Sequence, residues 1–262
     1  FFYQAFSTLI HPSYFGLYLS LSILFCIKLY AEKAYIKKSY WLVIIILFIV
    51  VIEVLLSSKM GLFILALMGL YGLIHVIVSR KKYLLGVGGI VLGGLVFIIV
   101  ATKVPTVSAR MNQLYKTITA PKIENSNSES TAVRLLIWKA SNQVVQQNFV
   151  AGVGTGDVQN ALMSEYKVRG MDGAFDSKLN AHNAFYQIFI ALGLIGFLTL
   201  VACLILPFRQ IRREKNWIYG LFILLFLVNM LVESMLETQA GVMFYAFFNA
   251  LFCFTIPVNQ KE

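Results

Sequence analysis

The chain has 262 residues, of which 59% are hydrophobic and only 13% are charged. A soluble domain carries charge on about a quarter of its residues, so this composition excludes an ordinary soluble protein and predicts an integral membrane protein. The net charge of +10 does not indicate nucleic-acid binding, because the basic residues fall mostly in short runs between apolar segments, where they encode topology. The three cysteines have neither disulfide nor metal-ligand spacing.

Seven apolar segments approach or reach the roughly 20 residues needed to cross a bilayer. All are predicted to be helices, because an isolated span must satisfy its own backbone hydrogen bonds. They are residues 14–30, 40–56, 61–78, 83–101, 183–208, 217–232 and 241–258. The predicted fold class is therefore all-α, a polytopic transmembrane helical bundle with one large external, partly helical loop.

Basic residues in three connections alternate along the chain in the way expected if those connections share one side of the membrane. They lie in residues 33–38, 80–82 and 209–215. The positive-inside rule makes that side the cytoplasm. We therefore expect membrane helices in residues 1–101, a large outer loop in residues 102–181 and further membrane helices in residues 182–262. The chain opens on Phe1 without a signal-peptide pattern, so we also expect earlier spans to precede it.

The outer loop is predicted to contain two helices. One begins at Pro105, and the other covers residues 131–147. The polar run Glu124-Asn-Ser-Asn-Ser-Glu-Ser130 between them is predicted to be a linker that ends in a helix cap. A helix with one apolar and one charged face can lie in the headgroup layer. The apolar face of the second helix consists of Val133, Ile137, Ala140 and Val144.

His182 lies where the outer loop meets a long span, between Asn180 and Asn183. Because imidazole takes and gives protons near neutral pH, a histidine at this boundary is a candidate general base for a hydroxyl nucleophile. The alternative is an interfacial residue that caps the helix.

Three outer cations are candidates for binding a diphosphate. Arg110 and Arg134 each lie on a predicted helix, and guanidinium binds phosphate oxygens bidentately. The alternative for both is a solvated charge or a contact with a lipid headgroup. Lys59 lies in a very short outer turn, where snorkelling to the headgroups is the alternative.

Acidic residues near the outer ends of the spans are costly there and are functional candidates, with partners among the outer cations. They are Glu53, Glu233 and Glu237. The segment Gly152-Val-Gly-Thr-Gly-Asp157 resembles a phosphate-binding glycine loop, but it lacks the lysine of a P-loop and no strand precedes it, which favours a tight turn. No metal-binding motif is present, so we expect a reaction without metal or other cofactor.

Six short motifs share a predicted location at the outer face. They are His11-Pro-Ser-Tyr-Phe-Gly16, Ser57-Ser-Lys-Met-Gly61, Arg134-Leu-Leu-Ile-Trp138, Gly152-Val-Gly154, Ala181-His-Asn-Ala-Phe185 and Glu233-Ser-Met-Leu-Glu237. In their order and spacing they resemble the O-antigen ligase and O-antigen polymerase family of bacterial membrane proteins, over nearly the whole chain.

The resemblance implies a glycosyltransferase of the inner membrane that moves a glycan from undecaprenyl diphosphate to an acceptor on the periplasmic face. It makes His182 the base and Arg134 a ligand of the diphosphate. A second arginine is usual where this chain has Lys59, which keeps the charge but loses the planar fork. Further substrate contacts are expected from His11, Tyr14, Arg110, Trp138, Glu233 and Glu237.

A transporter or flippase of lipid-linked glycans would share the spans and the basic loops. Transporters place ionisable groups and broken helices near the midplane, whereas the candidate residues here gather at the outer boundary. The acceptor stays open between lipid A core, as for a ligase, another lipid-linked repeat, as for a polymerase, and a protein. The sugar and the oligomeric state also stay open.

Overall fold

The computed structural model describes residues 7–32, 40–78, 81–120, 124–125 and 130–254. Within these ranges the chain forms eleven α-helices, one 3-10 helix and no strand, which confirms the all-α fold class. The chain divides into two compact units, residues 1–116 and 117–262. The basic residues predicted at 33–38, Arg80, most of the polar linker and the end of the last predicted span lie outside the described residues.

The helices of the first unit follow the first four predicted spans, with ends that differ by at most two residues. They are α1 (Pro12–Glu32), α2 (Tyr40–Leu56), α3 (Lys59–Val78) and α4 (Tyr83–Lys103). The predicted helix at Pro105 is α5 (Pro105–Thr119). The boundary between the two units falls within it.

Within the described residues, the second unit consists of six α-helices and one 3-10 helix. They are α6 (Ser130–Gln147), α7 (Val158–Val168), α8 (Asp172–Asp176), α9 (Ala184–Glu214), α10 (Trp217–Met230), the 3-10 helix Met235–Glu237 and α11 (Gln239–Phe254). The helix α9 extends beyond the predicted span, because residues 209–214 are good helix formers and continue it past the apolar stretch. Phenylalanine and tyrosine rings pack α10 against α11.

Three helical stretches are long and apolar enough to cross a membrane, namely Pro12–Tyr30, Tyr83–Lys103 and Ala184–Glu214. The four remaining predicted spans are shorter apolar helices. The apolar surface of α4 is almost entirely exposed, with Gly86 its one buried residue, and such a surface is stable against lipid. The protein is therefore a helical membrane protein, and the number of helices that cross the bilayer stays a prediction.

The apolar face predicted for α6 is buried within the second unit. Val133, Ile137, Ala140 and Val144 each keep less than a twentieth of their surface exposed. They pack in one core with buried side chains of α7, α8 and α9. The periodicity is thus as predicted, but this face is covered by protein and does not meet lipid headgroups.

The long helix α9 is broken at Gly193, where φ is 62° and ψ is −157°. The connection between α6 and α7 replaces the lost helical hydrogen bonds. The N–H of Val153 donates to the carbonyl of Ile190 (2.8 Å), that of Gly154 to Ala191 (2.9 Å) and that of Leu194 to Phe149 (2.9 Å). The glycine loop and the residues just before it therefore supply hydrogen-bond partners to the backbone groups of α9 at its break.

Two glycines make this contact possible. Gly152 and Gly193 both have positive φ, and a Cβ on Gly193 would lie 2.2 Å from the carbonyl oxygen of Val150. A Cβ on Gly152 would lie 2.5 Å from the carbonyl oxygen of Ala191. Because the N–H groups of residues 152–154 donate to backbone carbonyls, they are not available to cradle a phosphate.

Candidate active site

Three of the predicted functional side chains meet in the second unit. One carboxylate oxygen of Glu233, Oε1, accepts a hydrogen bond from the guanidinium of Arg134. The other oxygen, Oε2, lies 3.1 Å from His182 Nδ1. The Glu233 side chain is 7% exposed, whereas those of Arg134 and His182 are 20% and 21% exposed. The carboxylate is thus covered, and its two partners remain accessible.

His182 is held in place by its neighbours in the sequence. Its backbone adopts the left-handed region (φ 44°), and its N–H donates to Asn180 Oδ1 (3.0 Å). The N–H of Ala181 donates to Gln187 Oε1 (3.2 Å), one turn into α9. A non-glycine residue with positive φ persists only where its surroundings enforce it, and such residues cluster at functional sites.

The residue after His182 ties the start of α9 to the end of α10. Asn183 caps α9 by accepting the N–H groups of Phe185 (2.9 Å) and Tyr186 (3.1 Å). Its amide also donates to the carbonyl of Leu231 (2.9 Å). Because Leu231 lies just after α10, this bond places His182 beside the chain segment that carries Glu233.

Glu233 lies in a tight turn between α10 and the 3-10 helix. Its N–H donates to the carbonyl of Asn229 (3.0 Å), and its own carbonyl accepts the N–H of Met235 (2.9 Å). Met235 is fully buried and anchors the turn. Hydrogen bonds on both sides of Glu233 therefore fix its backbone, and with it the position of the carboxylate.

This arrangement determines which nitrogen of His182 can act as a base. A carboxylate accepts hydrogen bonds only, so Nδ1 beside Glu233 carries the proton and Nε2 keeps its lone pair. Among the described residues Nε2 has no hydrogen-bond partner. Arg134 contacts Glu233 through Nη2, and a guanidinium has five N–H donors in all. The cluster thus combines a free lone pair with unused donors of a permanent cation.

A family model described as O-antigen ligase matches residues 42–201, more than half of the chain. The chain belongs to the O-antigen ligase family. It is therefore a bacterial membrane glycosyltransferase of the O-antigen ligase or polymerase type, with lipid-linked glycan and acceptor substrates in general. No curated protein matches the chain. Glu233 lies beyond the matched residues, and its position in the site comes from the structure.

Two further candidates of this ligase-family protein lie in the second unit. Trp138 is one turn after Arg134 on α6, and its indole nitrogen is buried without a hydrogen-bond partner among the described residues. Its ring packs against the core of the unit. Glu237 is exposed at the end of the 3-10 helix. Among the hydrogen bonds and ion pairs of the described residues, none joins Glu237 to a cation.

The remaining candidates belong to the first unit. The carbonyl of His11 accepts the N–H groups of Tyr14 and Phe15 at the start of α1, and its ring meets that of Tyr14 edge-on. Lys59 is the first residue of α3, and Arg110 lies on α5. All four were predicted from the sequence to lie on the outer side of the membrane, and their roles stay predictions.

The hydrogen bond from the N–H of Ala181 to the side chain of Gln187 was not predicted from the sequence. Gln187 is a buried amide in an apolar helix, and a buried polar side chain requires a partner. The need for such a partner is the signal from which this hydrogen bond could have been predicted. No group of three or more histidine, cysteine, aspartate or glutamate side chains within the described residues is arranged to hold a metal ion.

Proposed function

We propose that the protein transfers a glycan from undecaprenyl diphosphate to an acceptor hydroxyl on the periplasmic face of the bacterial inner membrane. The observation that supports this proposal is the single carboxylate of Glu233, which contacts Arg134 and His182 at once. Displacing a diphosphate from an anomeric carbon requires a base for the nucleophile and positive charge for the leaving group. The cluster offers both within one unit of the fold.

In the proposed step, Nε2 of His182 takes the proton of the acceptor hydroxyl while the acceptor oxygen attacks the anomeric carbon. The bond from that carbon to the diphosphate oxygen breaks, and its electron pair leaves with the diphosphate. Glu233 stabilises the imidazolium that forms, as a carboxylate does behind a catalytic histidine. The imidazolium then returns its proton to water or to the released diphosphate.

Arg134 is the proposed ligand of the diphosphate. Its contact with Glu233 uses one N–H, and the remaining donors can bind phosphate oxygens in a fork. Lys59 and Arg110, in the first unit, are proposed as further phosphate-binding cations. His11, Tyr14, Trp138 and Glu237 are proposed as additional substrate contacts, on the strength of the family motifs in which they stand.

The test is glycan transfer by purified protein in detergent, with a lipid-linked glycan and an acceptor. General-base catalysis contributes about 10²- to 10⁴-fold, so His182→Ala should lower kcat by that order. Arg134→Ala should abolish transfer, whereas Lys139→Ala, an exposed cation on the same helix, should leave it unchanged. Normal turnover by His182→Ala would show that His182 is not the base. A chelator should not alter the rate.

A transporter would behave differently in this assay. Transport requires sealed vesicles, whereas a glycosidic bond formed in detergent requires an enzyme. The break of α9 at Gly193 is the feature that a transporter could share, but the loop from α6 already occupies three of its backbone groups. Glycosyl transfer is therefore the function that the geometry favours.

The class of acceptor can be read from a deletion strain. Loss of a polymerase leaves single repeats attached to the lipopolysaccharide, whereas loss of a ligase leaves none. The banding pattern of the surface polysaccharide separates these two outcomes, and a normal pattern with an unmodified protein would indicate protein glycosylation.

A further inference from the structure

One face of the long helix α9 is exposed along most of its length after the break at Gly193. The buried side chains Leu204 and Pro207 lie on the opposite face. Exposed apolar side chains occupy the first part of the exposed face, and exposed basic side chains occupy its last turns. They are Leu198, Ile205, Leu206, Arg209, Arg212 and Arg213. The mechanism proposed above uses none of these residues.

The apolar and the basic side chains share one surface because their spacing is helical. Ile205 lies four residues before Arg209, and Leu206 lies three before it, and residues so spaced are neighbours on a helix. Arg212 and Arg213 follow Arg209 by three and four residues. At 3.6 residues per turn, all five side chains fall within an arc of about 120°. The guanidinium groups thus lie within about one helical turn of exposed aliphatic side chains.

The positive charge of this surface is only partly neutralised by the protein. The one acidic residue of the last turn, Glu214, accepts hydrogen bonds from Arg213 Nε (2.7 Å) and Gln210 Nε2 (3.5 Å). Within the part of the chain that the structure describes, no ion pair or hydrogen bond engages the guanidinium of Arg209 or Arg212. Like charges at this spacing on a helix repel each other, so an anion that contacts Arg209 and Arg212 together relieves the repulsion.

The position of this surface along α9 separates it from the candidate active site. The helix α9 is long and apolar enough to cross a bilayer, and His182 lies just before its first residue, Ala184. At 1.5 Å per residue, the segment from Ala184 to Arg209 is about 37 Å long, which exceeds the ~30 Å of hydrocarbon. The basic part of the surface therefore reaches a headgroup layer at the far end of the crossing, and it is a different site from the cluster around His182.

We propose that this surface binds an anionic phospholipid, with the lipid phosphate at Arg209 and Arg212. The acyl chains lie along Leu198, Ile205 and Leu206. Guanidinium groups bind phosphate oxygens in a planar fork, and basic residues directly beside a membrane helix attract anionic headgroups. This binding does not depend on the proposed glycosyl transfer. It gives the basic segment a ligand in addition to its predicted role in topology.

The apolar part of the surface favours a lipid over a free phosphate ion. Ile205 and Leu206 keep 60% and 65% of their surface exposed, and a lipid contacts these side chains and Arg209 at once because about one helical turn of 5.4 Å separates them. Inorganic phosphate contacts the guanidinium groups only. A zwitterionic phospholipid offers the same chains but brings its own cation to the phosphate, so it should bind more weakly.

The test is titration of the purified protein in detergent with phosphatidylglycerol, with bound lipid measured by native mass spectrometry. The variant Arg209→Gln/Arg212→Gln removes both guanidinium groups and keeps good helix formers. Its apparent Kd for phosphatidylglycerol should rise by about tenfold or more. The control Lys139→Gln/Lys167→Gln removes the same charge from exposed positions of the same unit and should keep the wild-type Kd. If the double variant does not fold, the two single variants decide, each with a smaller rise.

Competitors distinguish a lipid from a free anion. Excess inorganic phosphate or glycerol 3-phosphate should leave the bound lipid in place, and phosphatidylcholine should bind about tenfold more weakly or less. Displacement by inorganic phosphate would show that the surface binds any phosphate, and equal binding of phosphatidylcholine would show that lipid charge is not recognised. An unchanged Kd in the Arg209→Gln/Arg212→Gln variant, or an equal rise in the control, would show that the lipid binds elsewhere. Each of these results would overturn the proposal.

Discussion

Glu233 is the residue on which the candidate site depends, because one carboxylate contacts both the cation and the base. Glu233→Gln keeps the shape of the side chain but removes its charge. The imidazolium formed during transfer then loses its stabilisation, and Nδ1 no longer has a pure acceptor beside it. We expect kcat to fall by about 10²- to 10⁴-fold while the donor KM changes little, since Arg134 is retained. Initial rates with varied donor measure both constants.

The matched control is Asp176→Asn, which removes an exposed carboxylate from the same unit. It should leave both constants unchanged. A kcat for Glu233→Gln equal to that of this control would show that the carboxylate does not support the base.

Each member of the cluster could be predicted from the sequence, but their contact could not. The sequence singles out Arg134, His182 and Glu233 because ionisable groups near a membrane boundary are costly and are therefore functional candidates. Arg134 precedes Glu233 by 99 residues in the chain, and His182 precedes it by 51. Their meeting depends on the bond from Asn183 to the carbonyl of Leu231, and local spacing does not encode a tertiary bond of this kind.

At the level of elements, the break in α9 requires glycine where the loop from α6 meets it. Gly152→Ala would force a side chain into positive φ and place a Cβ 2.5 Å from the Ala191 carbonyl oxygen. We expect a loss of about 1–3 kcal/mol of stability and reduced transfer, because the segment of α9 that follows His182 is displaced. Thermal unfolding in detergent measures the first effect.

Gly156→Ala is the control in the same loop. Its added Cβ would meet nothing within 4 Å, and its φ is not positive. It should change stability by less than about 0.5 kcal/mol. Equal melting temperatures for the two variants would show that the contact between this loop and the break in α9 does not contribute to stability.

In the first unit, a buried glutamate requires a glycine on the neighbouring helix. Glu53 is fully buried on α2, accepts a hydrogen bond from Ser20 on α1 (3.3 Å) and approaches Gly61 on α3. A Cβ on Gly61 would lie 2.5 Å from Glu53 Oε2. We expect Gly61→Ala to destabilise the unit by about 1–3 kcal/mol, measured as a lower melting temperature in detergent.

Two further variants identify the cause. Gly69→Ala lies on the same helix where an added Cβ meets nothing within 4 Å, so it should be neutral or slightly stabilising. Combining Gly61→Ala with Glu53→Ala removes the clash, and the two effects should therefore be non-additive. Additive losses of stability would show that the effect of Gly61→Ala does not arise from a clash with Glu53.

The first four helices could be predicted from the sequence to within two residues at each end, because long apolar runs bounded by polar residues determine them. The short helices α7 and α8 of the loop were not predicted. The break in α9 could not be predicted either. Gly193 stands in an apolar run like the glycines of α4, which remain helical. Its conformation depends on hydrogen bonds from residues more than 35 positions earlier, which no local pattern reveals.

For the whole molecule, the positive-inside pattern predicts that the two ends of α9 lie on opposite sides of the membrane. In a variant whose three cysteines are replaced by serine, a cysteine at Asp157 should react with an impermeant thiol reagent once the outer membrane is permeable. A cysteine at Arg213, which is exposed in the last turn of α9, should react only after the inner membrane is opened. The reverse result would invert the proposed orientation.

The shared carboxylate also links the two substrates of the proposed reaction thermodynamically. A diphosphate that draws the guanidinium of Arg134 towards itself would leave more of the negative charge of Glu233 facing the imidazole of His182. Binding at one site thereby changes affinity at the other by the same factor in both directions. In the proposed reaction, arrival of the donor would thus increase the negative charge behind the base before the acceptor is activated.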